Sequence, residues 1–138
     1  MGKILAIDYG RKRTGLAISD DMQIFAFGHG TVESHLLKNY LIQLHLKEKF
    51  TEIVLGEPKR LNNEVSETTE MVYRFQKELQ SWFPALKIHL IDERFTSKMA
   101  QASILQSGLK KKDRQNKALI DTVSATIILQ TYLEMKSI

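Results

Sequence analysis

Apolar residues along this chain fall into short unbroken runs and longer stretches spaced three or four apart. Ile4-Leu5-Ala6-Ile7 is a compact apolar run closed by Asp8. It is too short for a helix, so Met1 to Asp8 reads as a buried strand. Tyr9 to Arg13 is a basic turn containing a glycine. Thr14 to Ser19 is a second strand and Met22 to Val32 a third, with connections short enough for antiparallel hairpins and Asp20-Asp21 at one turn. Ser34 then offers an N-cap to a helix carrying Leu36, Leu37, Tyr40, Leu41 and Leu44 on one face. Glu52 to Leu55 is a short buried strand ending at Gly56-Glu57-Pro58. Glu64 to Trp82 places Met71, Val72, Phe75, Leu79 and Trp82 at helical spacing, and Pro84 ends the helix. Lys87 to Ile91 is a fifth strand. Thr96 or Ser97 caps a further helix that Gly108 terminates, and Lys117 to Glu134 is a last helix, apolar on most of its circumference.

Hairpins first, then helix and strand in alternation, predict an α/β fold. Its five-stranded mixed sheet would have the order 3-2-1-4-5, with strand 2 antiparallel and helices on both faces. Right-handed crossovers place the fourth and fifth strands beside the first. Ligands in such sheets gather at the carboxyl ends of the parallel strands.

Composition narrows the class. The chain has 138 residues, 43% hydrophobic and 26% charged, which suits a single globular domain over residues 1–138. It contains no cysteine, which excludes disulfides and thiolate metal sites. The opening apolar run is too short for a signal peptide, and nothing approaches the roughly 20 apolar residues of a membrane span. A cytoplasmic protein with no membrane partner is expected. The net charge is +4, and half of the 20 basic residues lie in three windows. These are Arg11 to Arg13, Lys59-Arg60, and Lys110, Lys111, Lys112, Arg114 and Lys117. Each alone is compatible with a solvated loop; three beside candidate site motifs favour contact with a phosphate backbone.

Acidic residues supply the candidate chemistry. Asp8 ends the first strand, Asp92-Glu93 ends the fifth, and Asp121 heads an apolar helical stripe of Ala125, Ile128 and Tyr132. An acid in such surroundings is expensive to bury without a cation or hydrogen bonds. Asp8 as a turn residue, Asp121 as a helix-terminus residue and Asp92-Glu93 paired with Arg94 are the plainer alternatives. A cluster of carboxylates would suit Mg²⁺ or Mn²⁺, in one or two copies, for phosphodiester cleavage. Gly10 and Gly15 would let the backbone pass close to a ligand, and Arg13 would reach a phosphate. His29, His35, His45 and His89 have no ligand spacing. Trp82 reads as core, and Tyr9 as packing or base stacking with equal claim.

Four blocks together resemble the YqgF/RuvX family. They are Ile7-Asp8-Tyr9-Gly10 with Arg13-Thr14-Gly15, Gly56-Glu57-Pro58, Asp92-Glu93-Arg94-Phe95-Thr96-Ser97, and Lys117 through Asp121 to Gln130. They occur in the family's order and cover residues 4–134. The resemblance implies an RNase H-like fold and a nuclease that matures the 5′ end of pre-16S rRNA. Its members were earlier assigned to Holliday-junction resolution, so branched DNA is the alternative substrate. It also implies Asp8, Glu93 and Asp121 as catalytic and metal-binding residues, with Asp92 replacing Glu93 if the strand register differs by one. Arg13, Arg94, Lys110, Lys111, Lys112 and Lys117 are expected to bind substrate. An RNA processor would act as a monomer, a junction resolvase as a homodimer. The sequence departs from the family where Gly-Leu-Pro is usual and Gly56-Glu57-Pro58 stands, and at Asn62-Asn63, where a glycine is common. A non-catalytic RNA-binding module for ribosome assembly is a rival reading. Actin-like ATPases share the first hairpin, but need two such lobes to enclose a nucleotide.

Overall fold

A computed structural model describes residues 2–58, 66–93 and 117–137. The elements are β1 (Lys3–Asp8), β2 (Arg13–Ser19), β3 (Ala26–Glu33), a 3-10 turn (Ser34–Leu36), α1 (Leu37–Glu48), β4 (Phe50–Glu57), α2 (Glu67–Trp82), β5 (Lys87–Asp92) and α3 (Lys117–Lys136). The sheet order is β3-β2-β1-β4-β5, as expected. β1 pairs antiparallel with β2 and parallel with β4, and β5 runs parallel to β4.

Alternation along the strands sorts the core into two layers. Leu5, Ile7, Leu16, Ile53 and Leu55 pack with Leu37, Leu41 and Leu44 of α1 and Val72, Phe75 and Leu79 of α2. Ile4, Ala6, Ala17, Val54 and Ile91 pack on the other face with Ala125, Ile128, Leu129 and Leu133 of α3. Burying each large aliphatic side chain contributes about 1.5–3 kcal/mol. The two-residue period therefore fixes register strongly, because a one-residue slip would expose both sets at once.

Three local expectations change. The third strand starts at Ala26 rather than Met22. The Asp20 carboxylate accepts backbone N–H bonds from Met22 (3.2 Å), Ile24 (2.8 Å) and Phe25 (2.8 Å), which curls that segment into a turn. Ser34 does not cap α1, whose N-cap is Leu36 without a side-chain bond. Its hydroxyl donates instead to the Gly10 carbonyl at 2.5 Å. Leu36 and Tyr40 stay exposed, so the buried stripe of α1 is Leu37, Leu41 and Leu44. The start of α2 lies inside its expected range, where Ser66 and Thr69 form a reciprocal capping box. The helix expected between Thr96 and Gly108 lies outside the described residues.

Candidate active site

The carboxyl end of β1 is the point of convergence. Ile4, Ala6 and Asp8 share one face of the sheet by alternation, the face α3 covers. Ile91 belongs to the same layer, and Glu93, two residues on, follows it. The Glu93 N–H bonds to the Glu57 carbonyl at 3.0 Å, extending the ladder one step past β5. That step brings the Glu93 side chain into hydrogen bonding with Asp8. Asp92, one residue earlier, pairs in register with Glu57. Glu57 accepts from the Tyr73 hydroxyl of α2 at 2.5 Å, and the negative charges of Glu57 and Asp92 help push that hydroxyl up to about 12. Asp92 therefore belongs with α2, and Glu93 is the acid beside Asp8.

Two glycines make room on the α3 side. Asp8 pairs across the ladder with Gly15. A Cβ on Gly15 would lie 2.0 Å from the Asp121 carbonyl oxygen, so α3 rests directly on the bare backbone of β2. A Cβ on Gly56 would meet the Glu93 carboxyl carbon at 2.6 Å and Ile128 Cδ1 at 2.8 Å. The space beside β4 is thus filled by the glutamate that reaches Asp8. Gly15 was expected to admit a ligand; it admits a helix. The use of Gly56 was not foreseen, although its place two residues after buried Val54 on the α3 face is a readable signal.

Electrostatics bind these acids together. Burial pushes the Asp8 carboxyl up to about 6; its hydrogen bond with Glu93 opposes that rise and the charge of Asp121 adds to it. Burial, the charge of Asp8 and the bond between them push Glu93 up to about 9. Two carboxyls so close cannot both ionise cheaply, and the pair retains a proton near neutrality. Asp121 takes a different partner: Arg13 Nε donates to its Oδ2 at 3.1 Å. Among the described residues, no three acidic or histidine side chains are gathered tightly enough to hold a metal ion as they stand.

The other candidates divide. Tyr9 stacks on Phe75 of α2, with ring centroids 3.9 Å apart and planes within 6°, so its ring serves packing. Trp82 meets the same Phe75 edge-on. His29 bonds Tyr40, His45 Nδ1 accepts from the Phe50 N–H, and His89 stacks on Tyr132. Arg94, Lys110, Lys111 and Lys112 lie outside the described residues, as do Lys59, Arg60 and Arg114. Lys117 opens α3, and its side chain lies outside them too. Among the described residues no helix is long and apolar enough to cross a membrane.

A model of the RuvX family, described as Holliday junction resolvase, matches residues 2–135. A protein of Bacteroides thetaiotaomicron bearing the name "Putative pre-16S rRNA nuclease" is 53% identical over 99% of both chains. One of the same name from Flavobacterium psychrophilum is 51% identical over 99% of both. The fold is shared with two solved structures of Thermus thermophilus RuvC, the second of them a complex with a Holliday junction substrate. The latter structure has a TM-score of 0.59 at 13% identity, covering 96% of each chain. The match runs almost from end to end at about half identity with the first of these relatives, and on that ground the chain belongs to the RuvX family.

Proposed function

We propose that this protein is a metal-dependent endonuclease that hydrolyses phosphodiesters in structured nucleic acid, most directly in maturing the 5′ end of pre-16S rRNA. Its catalytic set is Asp8, Glu93 and Asp121. The observation that carries this reading is the pairing of Asp8 with Glu93, brought together from the ends of two strands far apart in sequence. A fold does not normally bury two like-charged groups against each other, and the proton they retain occupies the place a cation would take.

The donor set fits Mg²⁺ or Mn²⁺. It is made of hard carboxylate oxygens, in a chain without cysteine. A bound ion would supply an activated water and charge stabilisation for the leaving oxygen. The residues do the rest. Asp8 and Glu93 would hold the ion once their shared proton leaves. Asp121, held near the start of α3 by Arg13, would add the third carboxylate to that donor set. Arg13, beside that carboxylate, would meet a phosphate oxygen of the substrate.

Pre-16S rRNA is favoured as substrate by the names of the relatives at about half identity. Branched DNA is the second reading, favoured by the description of the matching family. The test is cleavage of labelled precursor rRNA and of a four-way junction by purified protein with Mn²⁺ or Mg²⁺. Wild type should cut at least one substrate, and Asp8→Asn should abolish cutting while the unfolding transition stays cooperative. A mutant that cuts as fast as wild type would remove Asp8 from the mechanism.

A further inference from the structure

A cavity of about 530 Å³ opens beside Asp121, lined otherwise by Gly10, Arg11, Lys12, Arg13, Thr68 and Met71. Its size lies within the about 300–1,000 Å³ of ordinary ligand pockets. Its three cations are not equivalent. Arg13 is committed to Asp121. Arg11 and Lys12 are exposed, and among the described residues neither bonds or pairs with a carboxylate.

The turn that carries them is built, not loose. Ser34 reaches under it from the far end of β3. Its hydroxyl donates to the Gly10 carbonyl at 2.5 Å and bonds the Thr14 hydroxyl at 2.8 Å, and its N–H bonds the Lys12 carbonyl at 2.9 Å. Tyr9 is fixed at the other end of the turn by its stack on Phe75. Two free cations therefore stand on a clamped backbone, with less conformational entropy to lose on binding an anion than a floppy loop would have.

We propose that Arg11 and Lys12, with the Thr68 hydroxyl on the facing wall, form a phosphate subsite for the sugar–phosphate backbone of the strand being cut, beside its scissile phosphate. This rests on the nuclease reading and adds to it where the substrate lies. The strand enters from the α2 side of the basic turn, and its neighbouring phosphate is anchored before the scissile one meets the carboxylates. Met71 offers the cavity an apolar surface for the sugar. The chemistry recognised is a phosphodiester, of RNA or of DNA.

The test is binding by the full chain in EDTA, where no cutting occurs, so its outcome is independent of catalysis. An RNA hairpin with a single-stranded 5′ extension and a DNA of the same sequence serve as probes, followed by fluorescence anisotropy across a salt series. R11Q/K12Q should weaken binding roughly tenfold or more per lost charge-assisted contact. The slope of log K against log salt should fall by about 0.7–0.9 for each phosphate released. Thr68→Glu puts a negative charge on the facing wall, in the first turn of α2, where an acid favours the helix. It should keep or raise the melting temperature and still lose affinity. K38Q/K77Q removes two exposed lysines outside the cavity as a charge-matched control. Losses in R11Q/K12Q and Thr68→Glu beyond that control support the subsite, and the probe that suffers identifies the polymer. Affinity unchanged in both variants, or an equal loss in the control, overturns it even if the protein proves to be a nuclease.

Discussion

The two faces of the sheet are built from different stock. The face under α1 and α2 is filled by Leu, Ile, Val and Phe, with Tyr9 and Trp82 packed at its margin. The face under α3 carries Ala6 and Ala17 among its buried residues, with Ala125 of α3 packed in the same layer, and Gly15 and Gly56 at its upper edge. Large side chains hold a helix away from the sheet; small ones let it down until backbone meets backbone. The proposed catalytic acids lie on the small-residue face. Acids one step apart in sequence share its logic: Asp92 joins Glu57 and Tyr73 on the α2 side, while Glu93 joins Asp8 on the α3 side. A close-lying helix can deliver Asp121 to the strand ends, where a bulky layer would hold it off.

The comparison breaks most visibly in rates. Glu93→Gln should lower cleavage by about 10²–10³-fold or more, the usual loss when one preorganised polar group leaves a reacting centre. Glu57→Gln, on the opposite face, keeps an acceptor for Tyr73 and should change the rate by about twofold or less. Single-turnover cleavage of the two variants side by side measures the contrast. Equal losses would mean that the faces do not divide function.

Titration sharpens it. Folding raises Asp8 from 3.8 to about 6 and Glu93 from 4.5 to about 9. The folded state thus holds protons that the unfolded chain releases. The stabilisation is fully present below about pH 4, and is lost as pH rises through the two folded values. Urea unfolding without divalent metal should show stability falling from about pH 5 to pH 9. Asp8→Asn should lessen that fall, since Asp8 no longer titrates and Glu93, though still raised by burial, loses the Asp8 charge that adds to it. Millimolar Mn²⁺ should restore stability on the alkaline side. A flat metal-free profile in wild type would contradict the buried pair.

The smallest effects separate the two glycines. Gly15→Ala forces a methyl against the α3 backbone, which cannot yield locally, and should destabilise by about 3 kcal/mol, at the upper end for overpacking. Gly56→Ala meets only the ends of the Glu93 and Ile128 side chains. It should cost less, about 1 kcal/mol, yet lose more activity than stability by turning Glu93 from Asp8. Thermal melts and cleavage rates of both variants check the order.

Much of the fold was legible because it rests on periodicity. Unbroken apolar runs in Ile4 to Ile7 and Ile53 to Leu55, and helical spacing in Met71 to Trp82, are properties of local sequence that burial on both faces of a sheet rewards. Two of the segments that misread share one cause: a side chain spent its hydrogen bonds on a distant or unexpected backbone group. Asp20 gathered three N–H groups and delayed β3, and Ser34 left α1 uncapped to clamp the basic turn. The spacing of Leu36 and Tyr40 matched the core stripe, but among the described residues both remain exposed.

By itself, then, the sequence determined the strand order, the sheet edge at which acids would collect, and the family. Those follow from hydrophobic rhythm, chain connectivity and contiguous motifs, which are one-dimensional. Tertiary structure decided that Glu93 and not Asp92 meets Asp8, that Arg13 restrains Asp121, and that Gly15 and Gly56 clear the ground for both. These contacts join residues up to 108 positions apart, and turn on differences of a single methyl group or a single strand step. Only a packed interior, where space is filled once, resolves such differences.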